Sequence, residues 1–209
     1  MSSNEQGTKE KILTAALEMF SVNGFTAVSI RDIGKVVGIK ESSIYYHFRN
    51  KEDILQSILD EADKMAQIRK DNFNEALQTV STIKIEEFVK VGIAYVNGYL
   101  LEERIHKLLR MLMIEKQRNE KAAAIYQKLL FTAPVEHHKN VFSYMMDIGC
   151  ISKDHPDLMA VEYQSIILFI FNKYFSGPEA AAGEVKAAAL NELTILLNRF
   201  FARYSQDIF

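Results

Sequence analysis

The sequence predicts an all-α protein, and three observations carry that prediction. The 209 residues contain only 9 glycines and 3 prolines, few for a β-rich or loop-rich chain. Apolar residues recur at helical spacing from Thr8 almost to the end, with no turn-bounded alternation of the strand kind. Helix start and stop signals cut that pattern into discrete segments at Asn23-Gly24, Ser29, Gly38, Asn50, Pro134, Gly149, His155-Pro156 and Ser176-Gly177-Pro178.

Met1–Gly7 reads as a frayed arm. The first helix starts near Thr8, a hydroxyl suited to an N-cap. It places Ile12, Ala16, Met19 and Phe20 on one face with Ala15 and Leu17 beside them, and Asn23-Gly24 stops it. Ser29-Ile-Arg-Asp32 has capping-box spacing and opens a second helix that turns Ile30, Ile33, Val36 and Val37 inward and ends at Gly38. Two residues later a short third helix runs from Glu41 to Phe48. Asn50-Lys-Glu-Asp53 repeats the capping pattern and starts a long fourth helix with an apolar stripe of Ile54, Leu55, Ile58, Leu59, Ala62 and Met65. Further helices are expected over Glu86–Glu103, Arg104–Gln117, Asn119–Ile148, Pro156–Phe175 and Glu184–Tyr204. Pro134 should kink or break the third of these, and Ala180–Ala189 should turn helical past Gly183.

Composition narrows the function. A chain that is 48% hydrophobic and 25% charged is an ordinary globular one. It is long enough to bury about 70% of its unfolded surface without a metal or disulfide staple. The single cysteine, Cys150, excludes an intrachain disulfide and a cysteine-based zinc cluster, which fits a reducing compartment; the expected location is the cytoplasm. The longest apolar run, Ile166–Phe171, is far shorter than a membrane span, and the polar N-terminus lacks the apolar core of a signal peptide, so no membrane association is expected. A net charge of −2 excludes a chain that is polybasic throughout.

The charge is unevenly distributed. Ser29–Lys51 holds Arg31, Lys35, Lys40, Arg49 and Lys51 against Asp32 and Glu41, a net positive segment in a net negative chain. Within it lie two short helices joined by a glycine-containing turn and flanked by a helix on each side, the layout of a helix-turn-helix. Glu41–Phe48 crowds Ser42, Ser43, Tyr45, Tyr46 and His47 onto one short helix and leaves only Ile44 and Phe48 as a core face. Such side chains bond phosphates and base edges. The plainer alternative is a tyrosine-rich surface helix that touches no DNA.

At these residues the chain resembles the TetR family of bacterial transcriptional regulators. The likeness runs over Ile12–Leu55: a first helix ending in Phe20 and Gly24, then Ser29-Ile-Arg-Asp-Ile33, Gly38-Ile39, Ile44-Tyr45-Tyr46-His47-Phe48 and Lys51-Glu52. The resemblance implies a homodimer with a DNA-binding head over 8–55 and an effector-binding, dimerising body over 56–209, the fourth helix belonging to both. It also implies that Ser29 and Lys51 contact phosphate and that Ser42, Ser43, Tyr45, Tyr46 and His47 contact DNA. Tyr45 has a competing place inside the head. Arg31 joins this set as a cation of the basic segment. The departures are Lys40 for a capping serine, Glu41 for a basic or small residue, Ser42 for glycine, and Gly34 and Val37 for alanines; they suggest an unusual operator.

In the body, Leu190, Leu193, Leu197 and Phe200 follow 3/4 spacing, broadened by Ala187, Thr194 and Phe201, and Leu158, Val161, Ser165, Leu168, Phe169 and Phe175 stripe the helix before. Two such helices from each of two chains would form a four-helix interface through Leu168, Phe175, Leu190, Leu193, Leu197 and Phe201; the alternative is internal packing in a monomer. Leu108, Met113, Phe131 and Met146 add to the methionine and aromatic side chains of this region. Tyr95, Tyr99, Met111, Tyr126, Tyr144, Met145 and Phe169 are the candidates for an apolar effector cavity, which rests mainly on the resemblance. His106, Glu102 and Glu103 read as solvated, and Asn97 and Asn172 as candidates for buried hydrogen bonds. No enzyme, cofactor or metal is expected: Glu136-His137-His138 has no second ligand pair, Cys150 has no base beside it, and no phosphate loop or dinucleotide fingerprint occurs. The expected protein is a homodimeric repressor released from a double-stranded operator by a small apolar or amphipathic effector. The alternatives are a DNA-binding protein without such an effector, governed by a protein partner or architectural, and a helical adaptor whose head no longer binds DNA.

Overall fold

A computed structural model describes residues 3–78, 85–177 and 183–204. Among the described residues every regular element is helical: α1 Ser3–Ala27, α2 Ile30–Val37, α3 Glu41–His47, α4 Lys51–Gln78, α5 Ile85–Tyr95, α6 Glu103–Glu115, α7 Glu120–Gln127, α8 Ala133–Asp147, α9 Pro156–Phe175 and α10 Gly183–Ala202. Two π-helical turns, Val96–Leu100 and Lys128–Thr132, follow α5 and α7. The N-terminal arm differs from expectation, since α1 is already helical at Ser3. Gly24, with φ 76° and ψ 159°, breaks α1 where a stop was expected, and left-handed Gly38 (φ 76°) ends α2. Residues 180–182 of the Ala180–Ala189 patch lie outside the described residues, and the rest of it is helical from Gly183.

The chain forms two compact units: Met1–Gln67 with Lys107–Tyr126, and Ile68–His106 with Gln127–Phe209. The first unit closes on Ile12, Leu13, Ala16 and Phe20 of α1, Ile33 of α2, Ile44 of α3, Ile54 and Leu59 of α4, and Met111 and Leu112 of α6, all nearly inaccessible. Each of these side chains except Ala16 contributes roughly 1.5–3 kcal/mol of transfer free energy. Val36, expected inward, is 62% exposed, because the core face of α2 is already filled by Ile30, Ile33 and Gly34. Lys121 of α7 bonds Asp60 of α4 at 2.8 Å, and that hydrogen bond, helped by the Lys121 charge, holds the Asp60 carboxyl below its ordinary range.

In the second unit α8, α9 and α10 pack around an aromatic cluster. Ring centroids of Phe142, Tyr163, Phe200 and Phe201 lie 5.1–6.2 Å apart, mostly edge to face, and Phe88 of α5 joins at 6.0 Å from Phe201. The segment Asn119–Ile148 is two helices rather than one kinked one, and Pro134 explains the break. In an α-register the carbonyl of Leu130 would take the N–H of residue 134, which proline lacks. Buried Gln164 of α9 supplies the missing donor, its Nε2 standing 2.7 Å from the Leu130 oxygen. That orients the Gln164 carbonyl to accept from His138 Nε2 at 3.2 Å. Burial, aided by repulsion from His137, pushes His138 down to about 3, so it is neutral and its proton sits on Nε2. His106, expected on the surface, is 2% exposed and donates from Nε2 to the Phe175 carbonyl at 2.8 Å, satisfying the last turn of α9.

Candidate nucleic-acid interface

Local chemistry sets the geometry of α2 and α3. Ser29 Oγ accepts the Asp32 N–H at 3.2 Å while the Asp32 carboxylate accepts the Ser29 N–H at 3.2 Å, closing the expected capping box. The Ser29 hydroxyl holds the Asp32 carboxyl below its ordinary range, with help from Lys35 at 3.6 Å. Lys40 precedes α3 without any side-chain cap, as a cation must. Seven-residue α3 is therefore held by its anchors rather than by its ends: Ile44 is 0% and Phe48 2% exposed. Lys9 of α1 lies over the Phe48 ring at 5.4 Å. At Asn50 the expected cap is present, its Oδ1 accepting from the Asp53 N–H at 2.8 Å, but the Asp53 carboxylate turns to Arg49 instead of reciprocating.

With Ile44 and Phe48 inward, the rest of α3 faces solvent. Ser42 and Ser43 are exposed, Tyr45 is 53% and Tyr46 74% exposed, and half-buried His47 packs its ring edge-on to Tyr46 at 5.2 Å. Tyr45 is thus on the surface and not in the head's core. Ser29 and Arg31 are exposed at the start of α2. Arg31, Lys35, Lys40 and Arg49 are all exposed cations, and an open groove between α2 and α3 is lined by Arg31, Lys35, Lys40, Glu41 and Ser42. Hydroxyls and phenols on one cation-rimmed helix can donate to phosphates and meet base edges.

Lys51 also makes contacts within the chain. Its ammonium donates to the carbonyls of Phe25 and Val28, each at 2.7 Å, reaches that of Thr26 at 3.5 Å, and stands 4.2 Å from the Phe25 ring centroid. Two of its N–H bonds are thus directed at the turn before α2. Sequence reasoning also missed Glu115, 2% exposed, whose Oε1 accepts the Phe25 N–H at 3.0 Å. The available signal was a carboxylate three and seven positions past Leu112 and Leu108, on the buried stripe of α6.

The candidate effector residues fall in different units. Met111 and Tyr126 are buried in the first, Lys116 standing 4.0 Å over the Tyr126 ring. In the second, Tyr95 and Tyr99 pack ring to ring at 5.3 Å, Tyr99 and Met145 are buried, and Tyr144 is half-buried. Phe169 is 53% exposed on α9 and so lines no interior cavity. Asn97 and Asn172 are exposed, Asn172 donating back to the Leu168 carbonyl at 2.8 Å. Of the expected interface residues, Phe175, Leu193, Leu197 and Phe201 are 0% exposed in the single chain. Side chains already sealed inside one chain cannot touch a second, so these four are corrected to core. Leu168 and Leu190 are half-buried. Among the described residues no group of three or more potential metal ligands converges, and no helix is long and apolar enough to cross a membrane.

The profile described as "Bacterial regulatory proteins, tetR family" matches residues 12–58. The HTH-type transcriptional regulator UidR of Escherichia coli K12 is 30% identical over 125 residues, 60% of this chain and 60% of that protein's length. IcaR, the negative transcriptional regulator of the biofilm operon icaADBC in Staphylococcus epidermidis, is 46% identical over 46 residues, 22% of this chain and 25% of IcaR. The solved SmeT–triclosan complex shares the fold over 97% of this chain and 93% of SmeT, with a TM-score of 0.70 at 17% identity; SmeT is the repressor of the Stenotrophomonas maltophilia multidrug efflux pump SmeDEF. A capped helix-turn-helix lies inside residues 12–58, the span that matches the tetR family of bacterial regulatory proteins; the chain spans about 60% of the length of the curated regulator UidR, and the all-helical remainder shares the fold of SmeT.

Proposed function

We propose that the protein is a homodimeric cytoplasmic repressor that reads an operator with α3, through a head over 8–55, and is released by a small apolar or amphipathic effector held in the body over 56–209. The carrying observation is the solvent-facing Ser42, Ser43, Tyr45 and Tyr46 on a helix anchored by Ile44 and Phe48 and rimmed by Arg31, Lys35, Lys40 and Arg49. Ser29, Arg31 and the first turn of α2 supply phosphate contacts beside it, with His47 at the edge. The relatives named as negative regulators support repression rather than activation.

Dimerisation is supported by two outward seams. On α9, Leu158, Val161, Ser165, Leu168 and Asn172 alternate at 3 and 4 residues, with Leu158 64% and Val161 51% exposed. On α10, exposed Ala188, Asn191, Ile195, Asn198 and Ala202 do the same. Such spacing suits a four-helix interface, with Phe169 at its edge. Two heads joined this way meet half-sites about 34 Å apart or at a multiple of that. SmeT's complex with triclosan supports an apolar effector, and Tyr95, Tyr99, Tyr144 and Met145 are the side chains of the second unit suited to it. Moving a 99:1 preference for the DNA-fitting state to 1:99 requires about 5.5 kcal/mol of differential effector affinity.

Selection from a random duplex pool tests the reading. A two-half-site sequence whose affinity falls steeply with salt is the expected result; no enrichment over repeated rounds would sink it.

A further inference from the structure

Glu41 is the one acidic residue of α3 and is exposed on its first turn. A carboxylate on a helix that faces DNA is repelled by phosphates, so the charge needs a favourable partner there. Among the described residues the Glu41 side chain makes no hydrogen bond and no ion pair. It shares the open groove between α2 and α3 with the exposed cations Arg31, Lys35 and Lys40, yet none of them closes on it. Lys35 turns to Asp32 instead, at 3.6 Å. The three cations lower the cost of bringing a carboxylate up to the phosphates, while its oxygens stay open for a donor. The start of α3 is seated against α2. The Ile39 N–H donates to the Gly34 carbonyl at 2.9 Å, and a Cβ at Gly34 would stand 3.0 Å from the Ile39 oxygen, 3.6 Å from Ile44 Cδ1 and 3.9 Å from the Glu41 nitrogen. Glycine lets the turn lie this close and so fixes where the first residue of α3 stands. In a helix-turn-helix the N-terminal residues of the reading helix are the ones that meet base edges.

We propose that Glu41 is a specificity-determining residue whose carboxylate accepts from the N4 amine of one cytosine in each half-site. The inference rests on the DNA-binding reading above. A carboxylate only accepts hydrogen bonds, and the major groove offers it two donors, the amines of cytosine and adenine. Adenine's amine lies between two acceptors, its own N7 and the O4 of the paired thymine, and both repel a carboxylate. Cytosine's amine has one acceptor beside it, the O6 of the paired guanine, so cytosine is the better partner. The hydroxyls of Ser42, Ser43, Tyr45 and Tyr46 can donate as well as accept, so among these exposed side chains of α3 it is Glu41 that is restricted to donor bases.

The full-length wild type, Glu41→Gln and Glu41→Ala are each put through selection from a random duplex pool, and affinities are then read on duplexes changed one base pair at a time. The wild type should select cytosine at one position of each half-site and lose about tenfold in affinity when that base is replaced. In Glu41→Ala the preference at that position should fall to about twofold or less, with the other positions unchanged. Its binding to unselected duplex should tighten, because a repulsion is gone. Glu41→Gln presents a donor beside an acceptor, which suits the N6–N7 edge of adenine, so it should take adenine there at least as well as cytosine. A residue that only supports the fold would weaken every duplex alike. That result in Glu41→Ala overturns the proposal; so does one consensus shared by all three proteins, a relaxed position that was not cytosine, or a Glu41→Gln protein that still rejects adenine. Should Glu41→Ala fail to fold, the switch in Glu41→Gln decides alone. No enrichment by the wild type would sink the DNA-binding reading and the proposal with it, whereas enrichment with a consensus indifferent to position 41 sinks the proposal only.

Discussion

Gly92→Ala sets two effects against each other, and the structure decides between them. Gly92 is buried in α5, where alanine is favoured over glycine by about 1 kcal/mol of helix propensity. A Cβ at this position would fall on Tyr163 Oη and 2.7 Å from Leu197 Cδ1. Neither neighbour has room to retreat. Tyr163 is 3% exposed among the rings of Phe142, Phe200 and Phe201, and Leu197 is 0% exposed. Overpacking of this kind costs about 1–3 kcal/mol. Two immovable contacts place it at the upper end, for a net loss of about 2 kcal/mol after the propensity gain. For a chain of this length that lowers Tm by roughly 4–8 °C. Gly98→Ala is the control, because a Cβ there meets nothing within 4 Å, and it should leave Tm unchanged or slightly raised. Circular dichroism melts of both variants read the contrast. A Gly92→Ala protein that melts at or above the wild-type temperature would refute the close approach of α5 to α9 and α10.

Three further outcomes follow from the second unit. Gln164→Leu should lose about 2–4 kcal/mol in urea denaturation, because it orphans the Leu130 carbonyl and the His138 N–H together; a loss under 1 kcal/mol would mean water replaces the amide. His138 is protonated below about 6.5 in the unfolded chain and only near 3 in the fold, so the unfolded state binds more protons as pH falls. Stability should therefore decline from pH 6.5 downward, by at most about 1.4 kcal/mol per pH unit from this group, and His138→Gln should flatten the curve over pH 4.5–6.5 relative to wild type. Ile195→Glu on the α10 seam should shift the protein toward monomer in sedimentation velocity, and Val161→Glu on the α9 seam likewise; a dimer untouched by both places the interface elsewhere.

What was legible in the sequence was local. The Ser29–Asp32 capping box, the Gly38 stop, the bounds of Pro156–Phe175 and the anchoring of α3 by Ile44 and Phe48 are all written within a few consecutive residues. The contacts that the sequence did not reveal have distant partners. Lys51 meets carbonyls 23–26 residues back, Glu115 an N–H 90 residues back, and His106 a carbonyl 69 residues on, none of which leaves a periodic trace. The α10 stripe failed for a different reason. Two 3/4 series run along that helix two residues out of step, and the more apolar one, through Leu193 and Leu197, serves its own core. The outward series through Asn191, Ile195 and Asn198 is too polar to be found by hydrophobicity, as the α3 surface is.

A photoreactive benzophenone side chain in place of Tyr46, 74% exposed on α3, tests the central claim most directly. Irradiation with the selected duplex should join position 46 to a nucleotide within a half-site, and the same group at Val185 of α10, 49% exposed, should join to none. Equal labelling from both positions, or none from position 46 on a duplex that binds, would contradict the placement of α3 in the groove.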